Sequence, residues 1–249
     1  MIAPTRIVTA RRDPRLTATV ASLVPLRYAA GADEHLDRPA HVRAGSALAR
    51  VGGRLAVVQD DAAFVALLDP GGGRVEAIPL PHAPGGRRQF DDSRGNKGFK
   101  LDLEACILLP TAEGDRLLAL GSGSSPARER IVDLFLGQDG TRTVRLRDAS
   151  AWYAGLRSCG DFAGSELNLE GATLPAPGLV RLFQRGNGAP RGGRRAVDAT
   201  GDVALDALLA HLEDPSRPPP PPAKVVEYRL GELGGTRLTF TDAAAVTGG

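Results

Sequence analysis

The sequence predicts an all-β protein, a β-propeller built from four-stranded antiparallel blades, on three observations. Short apolar runs alternate with clusters of Gly, Pro, Asp and Ser, which is strand-and-turn punctuation. The runs group in fours, and the four-run layout recurs along the chain. An acidic residue recurs near the start of successive groups. Radial repetition of such meanders protects sheet edges, whereas a β-sandwich, the alternative, does not require a recurring acid.

The first residues, MIAPTRIVTARRDPR, contain no apolar h-region, so a cytoplasmic protein without a secretory signal is expected. The stretch 15–28, RLTATVASLVPLRY, is expected to supply strands that help close the ring. The first group of four runs falls at 47–51, 54–59, 64–69 and 74–80, and the second at 100–109, 116–122, 130–137 and 141–147. A third falls at 166–174, 179–184, 195–199 and 224–230. Between its last two runs, residues 202–214 place apolar side chains at 205, 208, 209 and 212, which is helical spacing. Five prolines at 218–222 then predict a stiff exposed spacer, so that 200–223 forms an insertion. A fourth group opens at 237–246, where the chain ends. Residues 1–249 therefore read as a single, incomplete propeller of about three and a half blades plus an N-terminal strand, cut at its C-terminal side.

Composition narrows the function classes. The 249 residues carry 31 basic and 29 acidic side chains, a net charge of +2, which excludes a broad polyanion-binding surface such as one for nucleic acid. No run approaches the ~18 apolar residues of a membrane span. The two cysteines, Cys106 and Cys159, form neither a disulfide framework nor a zinc motif, and four scattered histidines give no His-rich metal centre or Ser-His-Asp triad. His211, in the helical insertion, is expected to be solvated. The Gly121-Ser-Gly-Ser-Ser-Pro126 run resembles a dinucleotide loop, but Pro126 stands where close packing requires a third glycine, so no nucleotide cofactor is expected.

The recurring acid points to a site. Aligning the opening runs matches Leu103-Glu104-Ala105 with Leu169-Glu170-Gly171 and Thr241-Asp242-Ala243, while the first group carries Gly45 in place of the acid. In a propeller the first strand of each blade lines the channel, so residues entering it share a face with residues leaving the second strand. The entering set is Asn96, Lys97, Lys100, Glu104, Asn168, Glu170 and Asp242. The leaving set is Asp60, Asp61, Ser122, Ser124, Arg128, Arg185 and Asn187. All three asparagines of the chain, and two of its three lysines against 28 arginines, fall in these sets. Carboxylates converging on a channel repel unless a cation compensates, either a hard ion such as Ca²⁺ or Mg²⁺ or a neighbouring Lys or Arg. The alternative is that these acids hold neighbouring blades together through hydrogen bonds.

The segments D-L-E-A at 102–105 and N-L-E-G at 168–171, with the loop GSGSSPARERI, resemble a bacterial propeller family related in pattern to the esterase-like phytase group. Residues 95–105, GNKGFKLDLEA, carry most of the match, which spans roughly 40–249. A more distant similarity is to calcium-dependent lactonase and phosphotriesterase propellers. The resemblance implies that Glu104 and Glu170 face a metal or phosphate at the channel mouth. The expectation is a metal-assisted hydrolase of an anionic ester, phosphoester or lactone. Glu104, Glu170 and Asp242 are the expected metal ligands, with Glu104, Glu170 and Lys100 catalytic. Asn96, Lys97, Lys100, Arg128, Arg185 and Asn187 are expected to hold the anion. The alternatives are a non-catalytic propeller gripping a small ligand or peptide, and a purely structural fragment; the full-length protein is expected to be monomeric.

Overall fold

The structure, a computed structural model, describes residues 5–72 and 74–245. It is mostly β, with four-stranded antiparallel meanders set side by side. An initial strand, β1 (Arg6–Thr9), is followed by the first blade: β2 (Gly45–Val51), β3 (Arg54–Gln59), β4 (Phe64–Leu68) and β5 (Val75–Pro79). The second blade is β6 (Leu103–Pro110), β7 (Gly114–Gly121), β8 (Arg130–Gly137) and β9 (Arg142–Asp148). The third is β10 (Leu169–Ala176), β11 (Leu179–Gln184), β12 (Asp198–Ala204) and β13 (Ala223–Arg229). A small hairpin, β14 (Glu232–Leu233) with β15 (Thr236–Arg237), follows.

Strands pair in sequence order within each blade, as the alternating turn chemistry predicts. The opening strands β2, β6 and β10 are neighbours, with β6 in the middle. One apolar layer, including Val58, Leu67, Phe90, Leu117 and Leu134, joins the first two blades. A second, including Leu120, Ile131, Leu169 and Leu182, joins the second to the third.

Several sequence expectations need correction. Residues 15–26 form no strand, and Leu16, Val20, Leu23 and Val24 are exposed. The strand near the N-terminus is β1, which pairs in parallel with the outer strand β13. Only the end of the 15–28 stretch packs: Tyr28 bridges to Val75 and covers the outer face of the first blade with Val57 and Ala66. No ring is closed by either segment. The third run of the third blade begins at Asp198 rather than 195 and extends through Ala204, so Asp202, Val203 and Ala204 are strand, not helix. Strand pairing with β11 wins there because all three have partners across the ladder.

The inserted helix, α3 below, begins at Leu205. Two earlier helices, α1 (Ser150–Ser158) and α2 (Gly160–Ala163), lie between β9 and β10 and were not anticipated. They bury Trp152, Tyr153, Leu156 and Phe162 in the layer between the second and third blades. Helix α3 (Leu205–Glu213) buries Leu208, His211 and Leu212. His211 is therefore packed rather than solvated, and its Nδ1 lies 2.7 Å from the Arg217 carbonyl oxygen. The proline run is not wholly exposed either, since Pro220 is buried. Among the described residues no helix is long and apolar enough to cross a membrane.

Candidate functional site

Each blade carries the same irregularity where its opening strand begins. The β2–β3 ladder skips Ser46, the β6–β7 ladder skips Glu104, and the β10–β11 ladder skips Glu170. A bulge leaves one residue outside the ladder and re-aims its side chain. The structural equivalent of the two glutamates in the first blade is thus Ser46, one position beyond the Gly45 expected from the alignment. Two residues before each bulge, the carbonyls of Ala44, Asp102 and Asn168 accept the N–H of Asp60, Ser122 and Arg185, each at 2.9 Å. These two sets place strand-entry and strand-exit side chains together at one end of the channel.

At the centre of this mouth the amine of Lys100 stands 2.5 Å from Oδ1 of Asp60 and 2.5 Å from Oδ1 of Asp102. Asp61 lies farther out, at 3.6 Å. Oδ2 of Asp102 accepts a hydrogen bond from the Ser122 hydroxyl at 2.5 Å and meets Nη1 of Arg128 at 3.0 Å. Arg128 comes from the one-turn segment Pro126–Arg128 and also donates to the Ser124 hydroxyl at 2.8 Å. Asp102 adopts a left-handed backbone, φ 54°, a conformation that Asp and Asn tolerate better than most residues.

Glu170 is held on the other side of the mouth. Its Oε1 accepts from Asn168 Nδ2 at 2.8 Å and pairs with Arg185 Nη1 at 3.1 Å. Asn187 is a loose neighbour, its Oδ1 3.4 Å from Asn168 Nδ2. The Arg185 Nε is buried and has no hydrogen-bond partner.

Carboxylate oxygens of Asp60, Asp102 and Glu104 lie within 4.8 Å of one another. Among the described residues, Asp60 and Asp102 have cation partners and Glu104 has none within 4 Å. Burial, aided by the charges of Asp60, Glu170 and Asp102, pushes Glu104 up to about 8. Burial and the neighbouring Asp102 raise Asp60 to about 6, against the pull of Lys100. Burial opposes ionisation of Asp102 too, but hydrogen bonding with Asp60, Lys100 and Ser122 holds it below its usual value. Burial likewise raises Glu170, with Arg185 and Asn168 opposing. Lys100 is raised, since the two aspartates outweigh its desolvation. The mouth thus contains one carboxyl kept acidic, Asp102, and one that readily holds a proton, Glu104.

The structure therefore gathers Lys100, Glu104, Glu170, Arg128, Arg185 and Asn187 at one mouth, but distributes their roles differently. The oxygens that converge belong to Asp60, Asp102 and Glu104; Glu170 is turned to Arg185 and Asn168. Asp242 is exposed, and its carboxylate accepts the N–H of Ala243 at 2.7 Å rather than joining the cluster. Asn96 closes its own loop, donating to the Gln89 carbonyl at 2.8 Å and accepting from the Asp91 N–H at 3.1 Å. Lys97 pairs with exposed Asp92 at 2.8 Å. Asp102 is the member of the cluster that the sequence reading does not single out. Its signal was the shared D-L-E and N-L-E pattern, in which the polar residue precedes the acid by two positions.

A family model described as a family of unknown function (DUF6929) matches residues 41–249 of the chain. No curated protein matches it.

Proposed function

For this chain, which belongs to the DUF6929 family of unknown function, we propose divalent-cation-dependent hydrolysis of a small anionic ester, phosphoester or lactone at the channel mouth. The observation that carries the reading is the meeting of Asp60, Asp102 and Glu104 oxygens within 4.8 Å of one another. An all-carboxylate donor set of this kind suits a hard cation such as Ca²⁺ or Mg²⁺. The cation would offset the burial, and the lesser charge repulsion, that favour protonated Glu104. When bound, it supplies Lewis-acid polarisation of the ester and activation of water.

The chain's own groups have separate roles. Lys100 anchors Asp60 and Asp102 in place and leaves Glu104 free to exchange its proton. Arg128 and Arg185 flank the cluster, and their partly exposed guanidinium groups can meet a substrate oxyanion. Glu104, near 8, is suited to hold a proton for a leaving group or to release it as a cation binds. The resemblance of the 102–105 and 168–171 segments to esterase-like phytase strands favours a phosphoester within the anionic class. On this reading the protein works as a cytoplasmic monomer.

A second reading is favoured by Lys100 itself. Its amine already stands 2.5 Å from both aspartates, so it neutralises the pair without a metal and leaves a ligand-gripping, non-catalytic mouth. Calorimetric titration with Ca²⁺ and Mg²⁺, alongside melting curves with metal and with chelator, tests the two. The hydrolase reading expects saturable binding that the Glu104→Gln variant weakens at least tenfold. A wild-type protein that binds neither cation, and whose melting ignores chelator, overturns it in favour of the binder.

A further inference from the structure

A cavity of about 400 Å³ is lined by Arg157, Ser165, Glu166, Arg191 and Arg194. Its geometry begins in the sequence Arg191-Gly192-Gly193-Arg194. Both glycines take left-handed backbone, φ 58° and 74°, the requirement of a two-residue hairpin turn. The turn is closed by reciprocal bonds: Arg191 N–H to the Arg194 carbonyl and Arg194 N–H to the Arg191 carbonyl, each 3.0 Å. Two arginines are therefore held directly opposite one another across a tight ladder. Like charges so placed destabilise a hairpin.

Glu166, an exposed carboxylate, shares the lining but pairs with neither arginine. Among the described residues, neither Arg191 nor Arg194 has an acidic partner within 4 Å, although the chain forms many such pairs elsewhere. Arg194 is anchored without being neutralised: its Nη1 donates to the Arg157 carbonyl at 3.3 Å. Its guanidinium lies over Gly160, where a Cβ would come within 3.2 Å of Cζ. Arg157 is already committed to Glu129 at 2.8 Å and to the Gly123 carbonyl at 3.1 Å. Ser165 also lines the cavity, and its hydroxyl is buried and has no hydrogen-bond partner. An unpaired buried hydroxyl costs free energy, and the two exposed guanidinium groups keep donors free for a ligand.

We propose that this cavity is a second, phosphate-binding site, in which Arg191, Arg194 and Ser165 receive the terminal oxygens of a phosphate monoester. Two planar forks and a hydroxyl supply three separate donor groups, matching the three terminal oxygens of a phosphate better than the two of a carboxylate. Leu167 lines the cavity and directly precedes Asn168, which holds Glu170. A phosphorylated ligand seated here thus lies next to the mouth, and its binding does not depend on any cation there.

The test is calorimetric titration of the full chain in chelator with inorganic phosphate, phenyl phosphate and acetate, together with melting curves. Phosphate and phenyl phosphate should bind and raise the melting temperature, and acetate should do neither. Binding of phenyl phosphate at least as strong as that of inorganic phosphate marks an ester site; inorganic phosphate alone would overturn the ester assignment. The R191Q/R194Q double variant, in an exposed turn, should lose at least tenfold in affinity yet melt no lower than wild type without ligand. Ser165→Ala should weaken binding several-fold, and Arg50→Gln on β2 should leave it unchanged. Phosphate binding that survives R191Q/R194Q, or acetate binding of equal strength, overturns the proposal. Because every arm is run in chelator, failure of the cation reading at Glu104 leaves these outcomes unaffected.

Discussion

Lys100 Nζ stands 2.5 Å from Oδ1 of Asp60, so a side chain entering the second blade closes on one leaving the first. The same amine holds Asp102, which in turn holds Ser122 and Arg128. One lysine therefore couples two blades and the loop between β7 and β8.

Replacing Lys100 with Met keeps the length of the side chain and removes its charge, leaving partly buried Asp60 without a cation and Asp102 with Arg128 alone. The variant should lose about 3 kcal/mol of stability, measured by denaturant unfolding. If the mouth takes a divalent cation, saturating Ca²⁺ should restore part of that loss. A non-catalytic mouth should show no rescue.

Glu104 makes stability depend on pH in a definite direction. A carboxyl raised on folding stabilises the native state below its unfolded value and loses that contribution as pH rises through the folded one. For Glu104 the window runs from 4.5 to about 8. Metal-free protein should therefore lose on the order of 3 kcal/mol across it. Glu104→Gln should flatten that part of the profile. Asp60, raised to about 6, leaves a smaller slope of the same sign at lower pH.

Asp102→Asn separates charge from backbone strain, because Asn tolerates the left-handed conformation at this position. It should cost about 2–4 kcal/mol near neutral pH through loss of the Lys100 and Arg128 pairs. Because Asp102 is held below its usual value, the difference from wild type should shrink as pH falls through its folded value. Asp102→Ala, which adds the strain, should be the less stable of the two at every pH.

Gly121 ends β7 where two loops close on the mouth. A Cβ there would meet the Arg128 carbonyl oxygen at 2.2 Å and that of Leu101 at 2.9 Å, both backbone atoms that cannot swing aside. Gly121→Ala should therefore destabilise by about 2–4 kcal/mol. It should also displace Arg128 from Asp102, seen as weaker anion binding.

The second blade was legible almost run for run, since its loops carry clear turn residues and its strands alternate or are wholly apolar. The first helices were not. In α1, Trp152, Tyr153 and Leu156 face the core through a single short element, too brief for a 3.6-residue period to stand out. The boundary at 204–205 was blurred because Val203, Leu205, Leu208 and Leu212 read as one apolar pattern, although β12 claims the first and α3 the rest. At the site, Glu104 and Glu170 were visible as a repeat, but the one-residue bulge that makes Ser46 their counterpart leaves no mark in the sequence.

By itself the sequence determined the β class, the grouping of strands into meanders, the inserted helix and the end of the channel where charge would gather. These follow from period, turn chemistry and repetition, which are local and additive along the chain. Tertiary structure alone decided which carboxylate meets which cation. Glu170 finds Arg185 and Asn168, Asp102 finds Lys100, Ser122 and Arg128, and Glu104 is left without a cation. Those pairings arise from strand register and blade-to-blade packing, where a shift of one residue re-aims a side chain.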